Sequence, residues 1–454
     1  MKLCAFKSQS CISRRASVLI IVLWIAFGLV SVALYFAHSM GFELRSADNR
    51  VAGLEADQAI DGAARYVGYI LTLQQQQQPG VIPQAGTYQA ESLVIGDATC
   101  WFIGRTDQVT RAVAGSPSFG LVDEASKLNL NTVDYTNLQF LPLITPEFAA
   151  AIVDWRDTNS DVTIGGAENE TYMRLKPPYA CKNASFESVD ELRLVFGADL
   201  EALYGEDANL NGVLDVNEND GDVSLPWDNH DGHLDAGLFE YLTVYTREPV
   251  NRTNGLPRIN VTDTSATNRQ QLALLFADKF TASRAQEILN AIPAAQPIRS
   301  VLEFYVESGM KPEEFTMLES EVRGATLEGL VNVNSAAAAV LACIPGIGTT
   351  NAPSLVAYRQ SNAGNLTSLG WVSQVLDRNA AIQAGPYLTG LSYQFSADIA
   401  AVGHYGRGYR RVRFVFDLSD GVAKIISRKD LSDLGWALGR DVHQQLLALQ
   451  DKRR

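Results

Sequence analysis

The densest chemistry in this chain lies between Asp207 and Glu218, where Asp207, Asn209 and Asn211 alternate with other residues before Gly212, Val213, Asp215 and Glu218. Side-chain oxygens at places one, three and five, a glycine for the sharp turn and a backbone carbonyl from Val213 form the first part of the oxygen set of a twelve-residue EF-hand loop. Asp215, directly or through water, and a bidentate Glu218 complete it, while Leu214 anchors the loop to a core. Calcium accepts many oxygens at loose geometry, whereas magnesium demands a tighter octahedron, so the pattern points to Ca2+. The plainer reading is an acidic, Asn/Gly-rich surface turn. Clustered carboxylates repel until a cation sits among them, so a metal here is expected to fold the loop rather than to catalyse.

A second, poorer loop follows at Asp228–Asn229–His230–Asp231–Gly232–His233–Leu234–Asp235. Aligned on Gly232, its first place holds Trp227 and its last Leu238, neither of them a ligand. Two readings stand: Asp228, Asp231 and Asp235, joined by Asp220 or Asp222, hold a second ion, or the segment folds around the first site. His230 and His233 lack the further ligand that zinc needs.

Elsewhere there is no nucleophile elbow, no phosphate-binding glycine loop and no paired-carboxylate site. Asp154 and Asp157, flanking Trp155–Arg156, read as a helix-end ion pair rather than an acid–base couple. An enzyme is not expected. The net charge of −14 argues against nucleic acid as a partner, since phosphate binding needs a basic face. Five cysteines occur without any CxxC pair. Cys4 and Cys11 lie in a basic leader; of Cys100, Cys181 and Cys343, the pair Cys100–Cys181 is the candidate disulfide.

These residues need a scaffold, and the N-terminus supplies its first element. Lys2, Lys7, Arg14 and Arg15 precede an uncharged run from Ala16 to Met40, long enough as a helix to span a bilayer. The basic leader is expected on the cytoplasmic side and the bulk on the other. Beyond the run, Phe42, Leu44, Ala47, Val51, Leu54, Ala59, Ala63, Val67, Ile70 and Leu71 keep helical spacing with no proline before Pro79. One helix from about Ser17 to Leu73 is predicted, half in lipid and half packed on a folded body. Gln74–Gln78 with Pro79, Gly80 and Pro83 reads as a linker. Strands are predicted at Leu93–Ile95, Ala98–Ile103, Phe119–Val122 and Tyr241–Tyr245, with a hairpin of Tyr393–Val402 and Tyr409–Phe416. The tail from Asp430 reads as a terminal helix or a partly ordered segment.

A unit also recurs three times. Leu128–Asn129–Leu130–Asn131–Thr132, Ile259–Asn260–Val261–Thr262 and Val331–Asn332–Val333–Asn334–Ser335 each open a short strand, an Asn/Thr/Ser cap and a helical hairpin. Capping boxes at Ser188/Glu191 and Ser300/Glu303 start a further helix in the first two. Ile344–Pro345–Gly346–Ile347–Gly348 looks like a helix-hairpin-helix turn, for which packing or protein contact is the expected use.

The short basic leader followed by one long apolar helix resembles the type IV pilin and type II secretion pseudopilin family. Ile21 stands where major subunits of that family carry a glutamate, and the Val122–Asn129 and Asp154–Asp157 segments resemble the general secretion pathway protein K family of minor pseudopilins. The resemblance implies an α+β fold: a pilin-like long N-terminal helix on an antiparallel sheet, with inserted helical (SAM-like/helix-hairpin-helix) modules. It implies cleavage by the prepilin peptidase between Ala16 and Ser17, methylation of the new N-terminus and bound calcium. It further implies a single pass through the inner membrane, a periplasmic body and other minor pseudopilins as partners at a filament tip. The expected divisions are 1–16 leader, 17–73 helix, 84–128 pilin-like strands, 129–205 first module and 206–240 calcium loops. Then come 241–330 strand and second module, 331–390 third module and 391–454 hairpin and tail. A membrane-anchored, calcium-dependent adhesin or surface hydrolase is the competing expectation.

Overall fold

The computed structural model describes residues 14–105, 117–252, 254–293, 297–363, 366 and 368–451. Cys4, Cys11 and the leader lysines lie outside them, and Ala16 and Ser17 fall within helical backbone. One helix of 64 residues runs Arg14–Gln77. Every large apolar side chain from Val18 to Leu44 is more than half exposed, and this is the one described helix long and apolar enough to cross a membrane.

Further along, the buried stripe is built of small residues: Ala52, Ala56, Ala59, Ile60, Ala63, Ala64, Val67 and Leu71. They repeat every three to four positions, which puts them on one helix face. Phe42, Leu44, Val51 and Leu54, expected on that face, are exposed instead. Alanine lets the helix backbone approach a sheet closely, so the tightly packed face is the one with the smaller side chains. The glutamine run is helix rather than linker, since glutamine is a good helix former. The helix stops where the Gln75 carboxamide accepts the N–H of Gly80 at 3.0 Å.

The long helix lies on a sheet of six strands: β1 (Leu93–Ile95), β2 (Ala98–Ile103), β3 (Val122–Asp123), β4 (Gln394–Gly403), β5 (Arg407–Asp417) and β6 (Lys424–Asp430). The order is β1-β2-β4-β5-β6, with β3 also on β4, and every pairing is antiparallel. Strand β6 was not foreseen from sequence. Phe119, expected in a strand, makes only an isolated bridge to Ile103. All ten residues of β4 are buried because the sheet is covered on both sides. The helix packs on Phe102, Phe395, Ile399 and Phe414, while Ala437, Leu438 and Val442 pack on Trp101 and Val402 from the other side. The terminal helix Gly439–Asp451 follows.

Between β3 and β4 the chain makes three modules around one continuous core. Each is closed by a two-residue parallel pairing: Leu128–Asn129 with Leu242–Thr243, Ile259–Asn260 with Val322–Arg323, and Val331–Asn332 with Leu388–Thr389. Tyr241–Tyr245 thus contributes two strand residues. In each module the asparagine carboxamide accepts the N–H two residues on, from Asn131 (2.9 Å), Thr262 (3.1 Å) and Asn334 (2.9 Å). The repeat is therefore an Asx turn that ends a strand.

Arginines close two of the hairpins. Arg156 donates to the carbonyls of Leu130 and Val133, and Arg359 to those of Val333 (3.0 Å) and Ala336 (2.8 Å). The Ser188/Glu191 capping box forms, but it starts a 3-10 helix, Val189–Leu194. At Ser300 only half forms: its hydroxyl accepts the Glu303 N–H, while Glu303 accepts from Arg299.

The candidate disulfide is absent. Cys100 sits in β2 under the long helix, Cys181 packs against the module core, Cys343 is buried in the third module, and all three thiols are free. Placing the two cysteines in separate cores rules out the pairing.

Candidate metal-binding loop

The segment Asp207–Glu218 is a compact loop whose acceptors are turned onto its own backbone. Asp207 is buried, and its two oxygens accept the N–H groups of Asn211 (2.9 Å) and Gly212 (2.7 Å). Gly212 adopts φ +76°, the left-handed turn that the glycine place requires. Glu218 is buried at the far end and takes the N–H groups of Asn209 (3.1 Å) and Asp215 (3.0 Å). One Asp215 oxygen receives both carboxamides, from Asn209 (2.8 Å) and Asn211 (2.9 Å). Asn211 Oδ1 accepts the N–H of Val213 at 2.8 Å. The loop thereby brings Asp207, Asn209, Asn211, Val213, Asp215 and Glu218 together.

Electrostatically this is a site of surplus negative charge. Burial pushes the carboxyls of Asp207, Asp215 and Glu218 upward. Glu218 reaches about 8, with Asp207 and Asp215 adding repulsion to its burial. Asn209 Oδ1 is buried without a hydrogen-bond partner. Buried acceptors are nearly always satisfied, so an orphaned oxygen among crowded carboxylates suits a cation ligand. Among the described residues no three His, Cys, Asp or Glu side chains converge as metal ligands by themselves. The fit therefore depends on the amide oxygens of Asn209 and Asn211 and the Val213 carbonyl, as in the EF-hand pattern.

What seats the loop was invisible in its own sequence. No Lys or Arg lies between Arg193 and Arg247; the cations come from β5 and from just past the end of β2. Arg411 of β5, fully buried, donates to the Asn209 carbonyl and, at 2.7 Å, to the Leu210 carbonyl. Arg105 reaches the Leu210 carbonyl at 2.9 Å and Glu240 at 2.7 Å. The Asn209 carboxamide also donates to the Trp436 carbonyl at 3.1 Å.

The second loop is arranged differently. Asp228 is buried and accepts from Gly221 (3.1 Å) and His230 (3.0 Å). Asp231 and Asp235 are exposed, accepting from His233 (2.7 Å) and the Asn229 carboxamide (2.9 Å). The organiser is Glu206, which the loop pattern does not contain: its two oxygens take the N–H groups of Asn229 (3.0 Å) and Asp235 (2.9 Å). The acidic residue directly before Asp207 was the available signal. His230 and His233 are exposed. Asp154 and Arg156 do not form the expected helix-end ion pair. Asp154 is buried and holds the Thr163 N–H at 3.1 Å, while Arg156 goes to backbone carbonyls.

Three comparisons set this chain beside known proteins. Residues 135–204 match the family model described as type II secretion system (T2SS), protein K, first domain. A type II secretion system protein K from Klebsiella pneumoniae is 41% identical over 68 residues, 15% of this chain and 21% of that protein. The match thus spans about a fifth of that relative's length. A solved structure, the GspK-GspI-GspJ complex from the enterotoxigenic Escherichia coli type 2 secretion system, covers 86% of this chain and 99% of its own at 14% identity, with a TM-score of 0.38. The resemblance to the protein K family is borne out over the first helical module.

Proposed function

We propose that this chain belongs to the type II secretion system protein K family and is a minor pseudopilin that ends a short pilin-like filament and takes part in exporting folded proteins. The observation that carries the reading is the match of residues 135–204 to the protein K family model, in a chain that also has a long apolar-to-amphipathic helix and an antiparallel sheet. The exposed apolar stretch from Val18 is the membrane anchor, and the basic residues before it keep the N-terminus cytoplasmic and the body periplasmic. Three modules stacked on the sheet add bulk, which favours the filament's end over its shaft.

Its role is structural rather than catalytic: the carboxylates of the acidic loop hold a cation instead of a substrate. Asp207, Asn209, Asn211, Val213, Asp215 and Glu218 would hold one Ca2+, whose charge would offset their mutual repulsion and fix the loop. Asp228, Asp231 and Asp235 form the weaker candidate for a second ion. Processing by the prepilin peptidase would leave Ser17 as a methylated N-terminus.

Co-expression with the other minor pseudopilins of the same secretion system tests the reading. A stable complex that requires the 17–40 helix, together with loss of export on deletion of the gene, is the expected result. Normal export without the chain sinks it. Mass spectrometry of the mature protein reads the processing separately, since a chain that keeps Met1 is inconsistent with pseudopilin maturation.

A further inference from the structure

The tip between β4 and β5 straddles the long helix just beyond its apolar stretch. Gly403 and Gly408 press on the Ala52–Gly53 turn: a Cβ on Gly403 would lie 2.2 Å from the Ala52 carbonyl oxygen, and one on Gly408 would lie 2.3 Å from the Ala52 carbonyl carbon. Around this contact runs a set of ion pairs. His404 Nδ1 lies 2.5 Å from Glu55, and Nε2 lies 3.0 Å from Asp48. The two carboxylates stand seven residues apart, so two turns of the helix present them along one side. Arg407 pairs with Asp48, and Arg410 lies 3.5 Å from Asp57.

We propose that this tip is a proton-sensitive clamp on the long helix, in which His404, protonated on both ring nitrogens, ties Glu55 and Asp48 to the sheet. Neutral imidazole has one donor and one acceptor, so it can satisfy one of these carboxylates and must turn a lone pair toward the other. Losing the ring proton removes one hydrogen bond and the attraction to both acids. That loosens the helix over residues 48–57, where the head joins its anchor.

Other groups facing the ring are few. Arg407 shares Asp48, Asp97 from the β1–β2 turn lines the same cleft, and the Tyr405 ring stands edge-on at 4.9 Å. The terminal helix brings Leu446 to the cleft, whose volume of about 630 Å³ gives water a route to the ring. The bond to Glu55 does most to hold the His404 imidazole above its ordinary range, with Asp48 adding to it and partial burial opposing. With the folded value raised, the stabilising contribution is complete below the ordinary histidine value of 6.5 and disappears as pH rises through the folded value.

The test uses the full chain in lipid nanodiscs and reads amide protection factors over residues 48–57 from pH 6 to 9. In the native chain, protection should fall by roughly two- to fivefold above the folded histidine value, the range of partly exposed ion pairs. In His404→Gln it should be low and flat, with β2 amides unchanged as a control on the fold. Native protection factors that do not vary with pH overturn the proposal, as does a His404→Gln chain that keeps the native slope. Should that variant not fold, nitrogen-15 chemical shifts of the native ring decide alone. Both nitrogens protonated at pH 7 is the expected result, and a neutral tautomer there overturns it.

Discussion

Arg411 meets Asp398 across the β4–β5 pair through two nitrogens, Nε on one carboxylate oxygen and Nη2 on the other, both at 2.8 Å. The pair is buried, and Arg413 adds a third contact to the same carboxylate at 2.8 Å. Through its remaining hydrogen bonds Arg411 grips the backbone of the acidic loop, so one guanidinium joins the antiparallel sheet to the candidate metal site.

Removing that guanidinium should be costly. Arg411→Met leaves Asp398 buried with Arg413 as its remaining cation, strips the Asn209 carbonyl of its guanidinium donor and leaves the Leu210 carbonyl to Arg105 alone. A loss of about 3–5 kcal/mol is expected, the usual penalty for breaking a buried pair from one side. Urea unfolding of the protein measures it, and a change below about 1 kcal/mol would contradict the role given to Arg411.

Calcium and pH should compete at Glu218. Its folded carboxyl lies at about 8 against an ordinary 4.5, so without metal the folded state holds the proton more tightly. Stability of the metal-free protein should then fall as pH rises from about 4.5 to about 8, by an amount on the order of a few kcal/mol. Saturating calcium replaces the proton, raises the melting temperature and flattens the slope. Thermal melts with calcium and with chelator across this range report both effects. No calcium shift at pH 8 would remove the loop as a binding site.

A carboxamide at the same place gives a complementary result. Glu218→Gln should relieve repulsion in the metal-free protein, leaving it as stable as the native chain or more so at pH 8. It should also weaken calcium by losing the bidentate ligand. Calorimetric titration of the two proteins separates these signs.

The glycine contacts at the tip predict intolerance to side chains. Gly408 has φ +68° and lies against the Ala52 backbone, so Gly408→Val is strained in conformation and overpacked. A loss of about 1–3 kcal/mol is expected from either cause. Val422→Thr, at an exposed site, serves as the control.

The thiols give a simpler forecast. With Cys100, Cys181 and Cys343 free, a reducing agent should leave the melting temperature unchanged. Alkylation of the native protein should reach the partly exposed Cys181 first, as read by peptide mass mapping.

Much of the architecture was local enough to read along the chain. The long helix, β1 and β2 followed from runs of apolar residues with one period, and the threefold repeat followed from its Asn-centred turn. The compact loop from Asp207 to Glu218 was legible because its turn residues are neighbours in sequence. Misreadings had physical causes. Val51 and Leu54 are more hydrophobic than Ala52 and Ala56, yet close approach to a sheet rewards the smaller side chain. The glutamines looked like a linker because composition says nothing of where a helix stops; that is set by the Gln75 bond to Gly80.

By itself, then, the sequence determined which segments are apolar, where turns must fall and that oxygen-bearing side chains cluster between Asp207 and Glu218, since each depends on residues a few positions apart. Tertiary structure alone decided that Arg411 and Arg105 seat the acidic loop, that Glu206 organises its neighbour and that His404 finds Asp48 and Glu55. His404 lies 356 and 349 residues from those two partners, and Arg411 lies 202 from Asn209. No local pattern encodes such pairings. They form because closing β4 against β5 over the helix buries charged groups, and a buried charge must find a counter-charge or a carbonyl.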